Sequence, residues 1–487
     1  MLVNGTMYRY QFISVIGGQL MNSIANSNAN QNDTKQHPFL AITVVALMTF
    51  MGVLTETSMN VTFPTLMKHF QISLATVQWV TTGYLLTVAL LTITSAFLKR
   101  RFTNKQLFIS AALLFIVGDI MCGLATSYWL LLIGRIIQAG CVGLTGPLMN
   151  NIILDVVPPH KLGTYMGMAN LIVLVAPAIG PTFGGAVVAF ASWRMIFWIT
   201  VPVTLVLLIL GVLIIKQYSP TEHYEFDWLR FGLLSIGLIS LLMGFNILGQ
   251  PHVLIKFSVY IILSVVMFGL FGWRSKYSQK ALFKLSVFKR SAFLFSFLPY
   301  VLLQYSNIGI NFMLPSYVQM VNGASSFIGG LILLPGSILN GFGQPLYGWM
   351  LDHLGGKLPL YLGNTLFFIP LVIFTIFGQH ISIMNIIILY TIFAAGRSMA
   401  FGNSMAYGLK KLNRDERNDA NALYGTGNMV AGSLGTTIIA TLMTSVNLAN
   451  FSNAENIAAG SQVAFGMLAF IGIINFILFR KLFRSAK

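Results

Sequence analysis

What most constrains this chain is a series of apolar blocks about twenty residues long, each enough for a helix to cross a hydrocarbon layer of about 30 Å. After Pro38 they run at 39–62, 75–97, 106–126, 128–152, 163–188, 194–216, 228–249 and 254–274. Six more follow at 292–314, 324–350, 358–378, 381–406, 420–445 and 461–481. Only 8% of the 487 residues are charged and 56% are hydrophobic, whereas a soluble domain carries about a quarter charged residues. Lipid is therefore the expected solvent for most of the surface. The alternating ten-residue segments of an outer-membrane barrel are absent. Fourteen transmembrane helices in an all-α integral membrane bundle are the expectation.

The net charge of +17 could suggest a nucleic-acid partner, but the placement of the charge argues otherwise. With the amino terminus inside, alternate connections on the cytoplasmic side hold 24 of the 29 Lys and Arg. The outer connections hold Lys68, Arg194 and Lys256, while Arg135 and Arg397 lie within spans. This is the asymmetry that orients membrane proteins, and it predicts both termini in the cytoplasm. No basic soluble domain is available for nucleic acid.

Residues 1–37 include an Asn-rich stretch at 22–32 and read as a disordered cytoplasmic tail. The apolar run near Phe12–Ile16 is too short to span, and Arg9 alone precedes it, which makes a poor signal peptide. Residues 38–216 form a first group of six helices, 217–274 an inserted pair, 275–291 a basic linker, and 292–487 a second group of six with a short basic tail. Gly134-Arg135 in the fourth span of the first group is echoed by Gly396-Arg397 in the fourth span of the second. Parallel halves with a site between them are a transporter architecture.

Several motifs occur in order along this frame. The first span carries Leu54-Thr55-Glu56-Thr57-Ser58-Met59-Asn60, and the second Gln78-Trp79-Val80-Thr81-Thr82-Gly83-Tyr84. The fourth has Gly134-Arg135-Ile136-Ile137-Gln138-Ala139-Gly140, and the fifth has Ala176-Pro177-Ala178-Ile179-Gly180-Pro181-Thr182-Phe183-Gly184-Gly185. The loop segment Gly348-Trp349-Met350-Leu351-Asp352-His353-Leu354-Gly355-Gly356-Lys357 completes the set. Together they resemble the fourteen-span drug:proton antiporters of the major facilitator superfamily, the EmrB/QacA-type multidrug efflux transporters. The corresponding loop after the second span departs from the pattern, with Ser95 and Lys99 where Gly and Asp are expected.

The resemblance implies two six-helix bundles plus two inserted helices, and a bacterial cell-membrane protein. It would export hydrophobic, often cationic drugs or dyes in exchange for protons by alternating access. The alternative is a proton-coupled carrier of a defined amphiphile, such as a fatty acid or a peptide-like metabolite. No cofactor is expected, and a monomer in the bilayer is. The seven His are scattered and Cys122 and Cys141 lie inside apolar blocks, so no metal or catalytic cluster suggests itself.

Glu56 and Asp119 are the carboxylates placed well inside spans. Burial favours the uncharged form of a carboxyl group, which is the property a proton-coupling site needs. At 1.5 Å rise per residue, Glu56, Asp119, Arg135 and Tyr84 fall in one layer, about 20 Å from the inner end. Glu56, Asp119 and Arg135 are therefore the candidate proton-coupling residues. Candidate cavity residues are Asn60, Tyr84, Gln138, Gln304, Asn307, Asn311, Tyr424 and Asn428, several spaced i, i+3, i+7 on one helix face. Interhelical hydrogen bonding is the competing role for each amide. Gly180, Pro181, Gly184, Gly185, Asp352 and Arg397 are the gating or packing candidates.

Overall fold

The computed structural model describes residues 38–157, 162–218, 220–221, 226–247, 253–277, 285–379, 381–446 and 452–485. The tail expected over 1–37 and much of the basic linker lie outside the described residues. The rest is helical. In chain order the elements are α1 (Pro38–Phe70), α2 (Leu74–Val77), α3 (Trp79–Arg101), α4 (Asn104–Gly123), α5 (Tyr128–Val156), α6 (Leu162–Phe190) and α7 (Met195–Ile214). The pair α8 (Trp228–Ile247) and α9 (Val253–Tyr277) follows. After a short 3-10 turn come α10 (Ser291–Met320), α11 (Ser326–Leu331), α12 (Leu334–Phe342), α13 (Gln344–His353), α14 (Lys357–Phe377), α15 (Ile383–Lys410), α16 (Arg414–Met443) and α17 (Asn453–Ser485).

Among the described residues, twelve helices are long and apolar enough to cross a membrane, and the bent pair Ser326–Phe342 plus Gln344–His353 adds a thirteenth. The block at 324–350 is thus a broken span rather than one straight helix, bent by 42° at Gly343. Pro335 and Pro345 sit in the first turns of α12 and α13, where a residue without an N–H restarts a helix but cannot continue one. In contrast, α1 runs through Pro64 to Phe70, a full two turns beyond the expected end at 62. Loop ends are set by local capping. Thr103 and Gln106 form a reciprocal capping box at the start of α4, and the hydroxyls of Ser127, Ser325 and Ser382 accept from the first turns of α5, α11 and α15.

The surface is apolar, as lipid requires: Trp129, Phe190, Leu213, Leu254, Ile255 and Phe342 are exposed, whereas Thr55, Gln138, Thr204 and Asn403 are buried. The helices pack as two bundles, α1 to α7 and α10 to α17, related by a pseudo-twofold axis. The main contacts in one half have counterparts in the other: α1 on α6 matches α10 on α16, α4 on α5 matches α14 on α15, and α4 on α7 matches α14 on α17. Across the interface, α6 on α11 matches α16 on α3, and α1 meets α10. The inserted pair is held together by a Ser264 hydroxyl donating to the Gly237 carbonyl (2.9 Å) and by Arg230 over the Phe271 ring. Its helix α8 touches α16 and α3.

Candidate functional site

The amino-terminal bundle holds a charged centre built on a close helix crossing. A Cβ on Gly118 would lie 2.7 Å from the Gly134 carbonyl oxygen, and one on Gly134 would lie 3.1 Å from the Gly118 oxygen. The absence of both side chains lets α4 and α5 touch backbone to backbone. Asp119, one residue along, therefore faces Gln138, one turn along. Gln138 Nε2 donates to Asp119 Oδ1, and Arg135 Nη1 donates to Gln138 Oε1. The guanidinium can only donate, which fixes the amide with Oε1 toward Arg135 and Nε2 toward Asp119. The second carboxylate oxygen, Oδ2, accepts from Thr200 Oγ1 of α7 at 2.8 Å.

Arg135 is fully buried. Its guanidinium lies 4.2 Å over the Tyr84 ring, and its Nε donates to the Val80 carbonyl at 3.5 Å. Tyr84 in turn donates its hydroxyl to the Gly52 carbonyl of α1 (3.0 Å), so the ring is fixed from two helices. Nη2 of Arg135 is buried and has no partner among the described residues. Glu56, one turn along α1 from Gly52, is buried and lies within the electrostatic reach of Arg135. Its carboxyl group makes no hydrogen bond among the described residues. Of the layer expected from residue counting, Tyr84 stacks on the Arg135 guanidinium and Asp119 reaches it through Gln138, while Glu56 lies within its electrostatic reach without a direct ion pair among the described residues. Thr200 completes the layer, yet a threonine in a run of Ile, Val and Leu carries no sequence signal of such a role.

The carboxy-terminal bundle repeats the crossing device. A Cβ on Gly396 would lie 2.6 Å from the Gly363 oxygen, and Arg397 follows as Arg135 follows Gly134. The crossing is deeper: Gly134 lies about 9 Å along α5 from its first residue, and Gly396 about 20 Å along α15. The two arginines are therefore not symmetry mates in depth. Arg397 donates Nη1 to Gln304 Oε1 (3.2 Å) and Nη2 to Asn340 Oδ1 (3.1 Å), with Phe401 below it at 4.8 Å.

The other cavity candidates divide. Asn60 Oδ1 accepts from Thr81, Asn311 Oδ1 accepts from Tyr390 (2.9 Å), and the Tyr424 hydroxyl is shared with Ser296 at 2.7 Å inside a cluster of Phe293, Phe297 and Tyr300. These polar groups tie helices together. Asn307 and Asn428 are half-buried, and Asn428 Oδ1 has no partner among the described residues. Asp352 is paired with Lys410 at 2.5 Å across an exposed end of the bundle.

Gly180 and Gly184 of α6 pack against α1: a Cβ on Gly180 would overlap the Thr57 hydroxyl, and one on Gly184 the Ser58 carbonyl. Ser58 Oγ donates to the Gly180 carbonyl at 2.9 Å. Gly185 faces the other bundle, where its Cβ would overlap the Ser326 carbonyl; a Cβ on Gly330 would likewise overlap the Pro181 carbonyl. The motif in α6 is thus a double packing surface, one side for α1 and the other for α11. At the same end, Ser326 Oγ donates to the Gly185 carbonyl (3.2 Å) and Gln319 Nε2 to the Val61 carbonyl (3.0 Å). Thr82 bonds Thr436 (2.6 Å) and Thr437, which also donates to Gln78 Oε1. This hydroxyl cluster between α3 and α16 was not foreseen from the sequence, because threonines in apolar helices usually bond their own backbone. Among the described residues, five hydrogen bonds thus join the bundles at the end that carries the 71–73 and 321–325 turns.

Two pseudo-symmetric helical bundles, closed on each other at one end, with a buried charged centre inside one of them, define a membrane carrier. The chain belongs to the Major Facilitator Superfamily, whose sequence profile matches residues 45–436. It is 33% identical over 462 residues to the lincomycin resistance protein LmrB of Bacillus subtilis (strain 168), covering 91% of this chain and 96% of that one. Identity to the multidrug resistance protein B homolog of Mycobacterium tuberculosis (strain ATCC 25618 / H37Rv) is 27% over 432 residues, covering 86% and 78%. Among solved structures, a bacterial homolog to the human lysosomal transporter Spinster, in an inward-facing and unoccupied conformation, superposes with a TM-score of 0.65 at 14% identity, covering 93% of this chain and 99% of that one. A peptide transporter POT in complex with sulfate gives 0.67 at 14% identity, covering 91% and 95%. These two share the fold. The family makes the chain a multi-pass membrane transporter rather than an enzyme.

Proposed function

We propose that the chain is a proton-coupled antiporter that exports amphiphilic, often cationic drugs, of the fourteen-span EmrB/QacA type. The observation that carries the reading is two groups without partners among the described residues: the Glu56 carboxyl, which makes no hydrogen bond, and Nη2 of Arg135, within electrostatic reach of it. A protonated Glu56 is tolerated there as a neutral group. Once deprotonated, its carboxylate has a waiting donor in Arg135, and a cationic substrate would share that charge. Asp119, with both oxygens accepting hydrogen bonds, is suited to remain ionised and to hold Arg135 through Gln138. The two acids then have unequal roles, Glu56 moving the proton and Asp119 fixing the arginine. The relatives named for lincomycin and multidrug resistance favour export of drugs.

The closed end carries the connections expected outside, so the conformation fits one that opens to the cytoplasm, where drug would enter. The test of the function is proton-gradient-dependent efflux from everted vesicles, screened over lincomycin, a cationic dye, a quinolone and a fatty acid. Gradient-independent movement of all four would refute coupling.

Two further predictions follow from the same reading. Arg135→Lys keeps the charge but not the planar fork that serves Gln138 and the Val80 carbonyl while stacking on Tyr84. Export should fall by about tenfold or more at normal expression, the loss of about one charged hydrogen bond; wild-type export would reduce Arg135 to a generic counter-charge. The second concerns topology. In α16, rich in Asn, Gly and Thr, we place the fourteenth span, because its packing on α10 and α3 mirrors that of α6 on α1 and α11. Cysteines introduced at Asn413 and Ser445 should then react with an impermeant thiol reagent from opposite faces, Asn413 from the cytoplasm. Labelling of both from one face would remove that span.

A further inference from the structure

Arg397 differs from Arg135 in what neutralises it. In the amino-terminal bundle the guanidinium is balanced by Asp119 through Gln138 and by Glu56 nearby. Arg397 is just as enclosed, at 4% exposure, but its two hydrogen-bond acceptors are the neutral amides Gln304 and Asn340. Its Nε is buried and has no partner among the described residues. The ionisable side chains around it are the tyrosines Tyr300, Tyr347 and Tyr390. The carboxylates described in this bundle are engaged at its ends: Asp352 with Lys410, Glu416 with Arg290, and Glu455 with Ser452. A guanidinium withdrawn from water with amides alone for company is an incomplete ion pair.

Its surroundings say what would complete it. Arg397 projects between α10 and α12, the helices that supply Gln304 and Asn340, and not toward α14, which Gly396 meets. The amides in front of it, Gln304, Asn340 and Gln344, are half-buried, so the layer next to the charge is polar, thin and able to turn. Gln344 already bonds Ser398 (2.7 Å) and can exchange partners with Asn340. Beside the guanidinium, Phe401 stacks on Tyr300 at 4.1 Å, a flat apolar wall. A charged acceptor with an attached aromatic or aliphatic body fits that combination better than a small hydrated ion does.

We propose that Arg397, with Gln304 and Asn340, binds the carboxylate of an amphiphilic organic anion or zwitterion, with the body of the ligand on the Phe401–Tyr300 wall. The carboxylate replaces one or both amide oxygens on the guanidinium fork, and the freed amides donate to it through their NH₂ groups. The proposal rests on the transport reading only in calling this ligand cargo. It places an anion subsite in the bundle opposite Glu56, so that a zwitterionic drug could present its cation to one half and its carboxylate to the other.

The test is calorimetric titration of the full-length protein in lipid nanodiscs, without a gradient, using cinnamate, cinnamyl alcohol and cinnamylamine as matched anionic, neutral and cationic probes. Wild type should bind cinnamate about tenfold or more tightly than the alcohol, as a charged hydrogen bond replaces a neutral one. Arg397→Gln should abolish that preference. Since removal of a buried arginine can disturb folding, Gln304→Glu is the decisive variant: it keeps the arginine and supplies the missing carboxylate from the protein. It should lose the cinnamate preference while its thermal unfolding midpoint holds or rises. A wild type that does not distinguish cinnamate from the alcohol, or a Gln304→Glu variant that still prefers cinnamate, overturns the proposal. Both outcomes are independent of whether Glu56→Gln uncouples transport.

Discussion

Glu56→Gln is expected to abolish proton-driven export while leaving the fold in place and drug binding at the weaker level of the protonated wild type. The amide has nearly the shape of the protonated acid, and the site around it contains no hydrogen bond that the substitution would break. What it removes is the ability to alternate between a neutral group and a carboxylate that pairs with Arg135. Drug and proton would compete at Glu56, so each weakens the other by one and the same factor, on the order of 5- to 150-fold for a typical coupling energy. Wild-type affinity for a lipophilic cation should therefore fall on acidification by about tenfold or more, and the variant's affinity should be flat over the same range. In everted vesicles, Glu56→Gln should show no accumulation above that seen with the gradient collapsed.

The second large effect is expected at the seam between bundles. Gly330 lies over the Pro181 carbonyl, and Gly185 over the Ser326 carbonyl, with no room for a Cβ at either place. Backbone faces backbone, so the obstruction cannot be relieved by rotating a side chain. Gly330→Val should prevent the bundles from closing at this end. The carrier would then be held in the opposite conformation, with a cysteine placed at Asn307 reactive from the outside and protected from the cytoplasm. An alternating-access carrier that must visit both states loses turnover almost entirely when one is forbidden; disfavouring it by about 2.8 kcal/mol already costs about a hundredfold in population. By contrast, Gly348→Ala should be harmless, since a Cβ there meets nothing within 4 Å.

Much of this architecture is written in the sequence, for a physical reason. Lipid demands helices of a set length, so block length locates most of the spans: twelve long apolar helices and a bent thirteenth among the described residues. The same regularity lets depth be counted, and it places Tyr84 and Asp119 at the Arg135 guanidinium, one stacked on it and one linked through Gln138. Rotation about the helix axis is harder to read. Asn60, Asn311 and Tyr424 lie on polar faces of their helices, yet Thr81, Tyr390 and Ser296 take up their polar atoms. A face turned to a neighbouring helix and a face turned to a cavity use the same residues at the same spacing. The break between α12 and α13 is a different case. Pro335, Gly336, Gly341, Gly343 and Pro345 all signal it, but an uninterrupted apolar block hides such punctuation when length alone is weighed.

Thr200 and the Gln78–Thr82–Thr436–Thr437 cluster were out of reach for a further reason. Each depends on which helices are neighbours, and that is decided by the glycine crossings at Gly118 and Gly134, Gly363 and Gly396, and Gly185 and Gly330. A glycine marks where backbones can approach, not which backbone arrives. Once the pairing is known, the contacts follow residue by residue.

The most direct test of the coupling account is proton release on drug binding by the purified protein in a weakly buffered solution. Adding lincomycin or a lipophilic cation to wild type should acidify the medium, with an amplitude that saturates along with drug binding. Glu56→Gln should bind the drug and release no proton, whereas Asp119→Asn should still release one if it binds. Equal release from wild type and Glu56→Gln would contradict the assignment of the proton to Glu56.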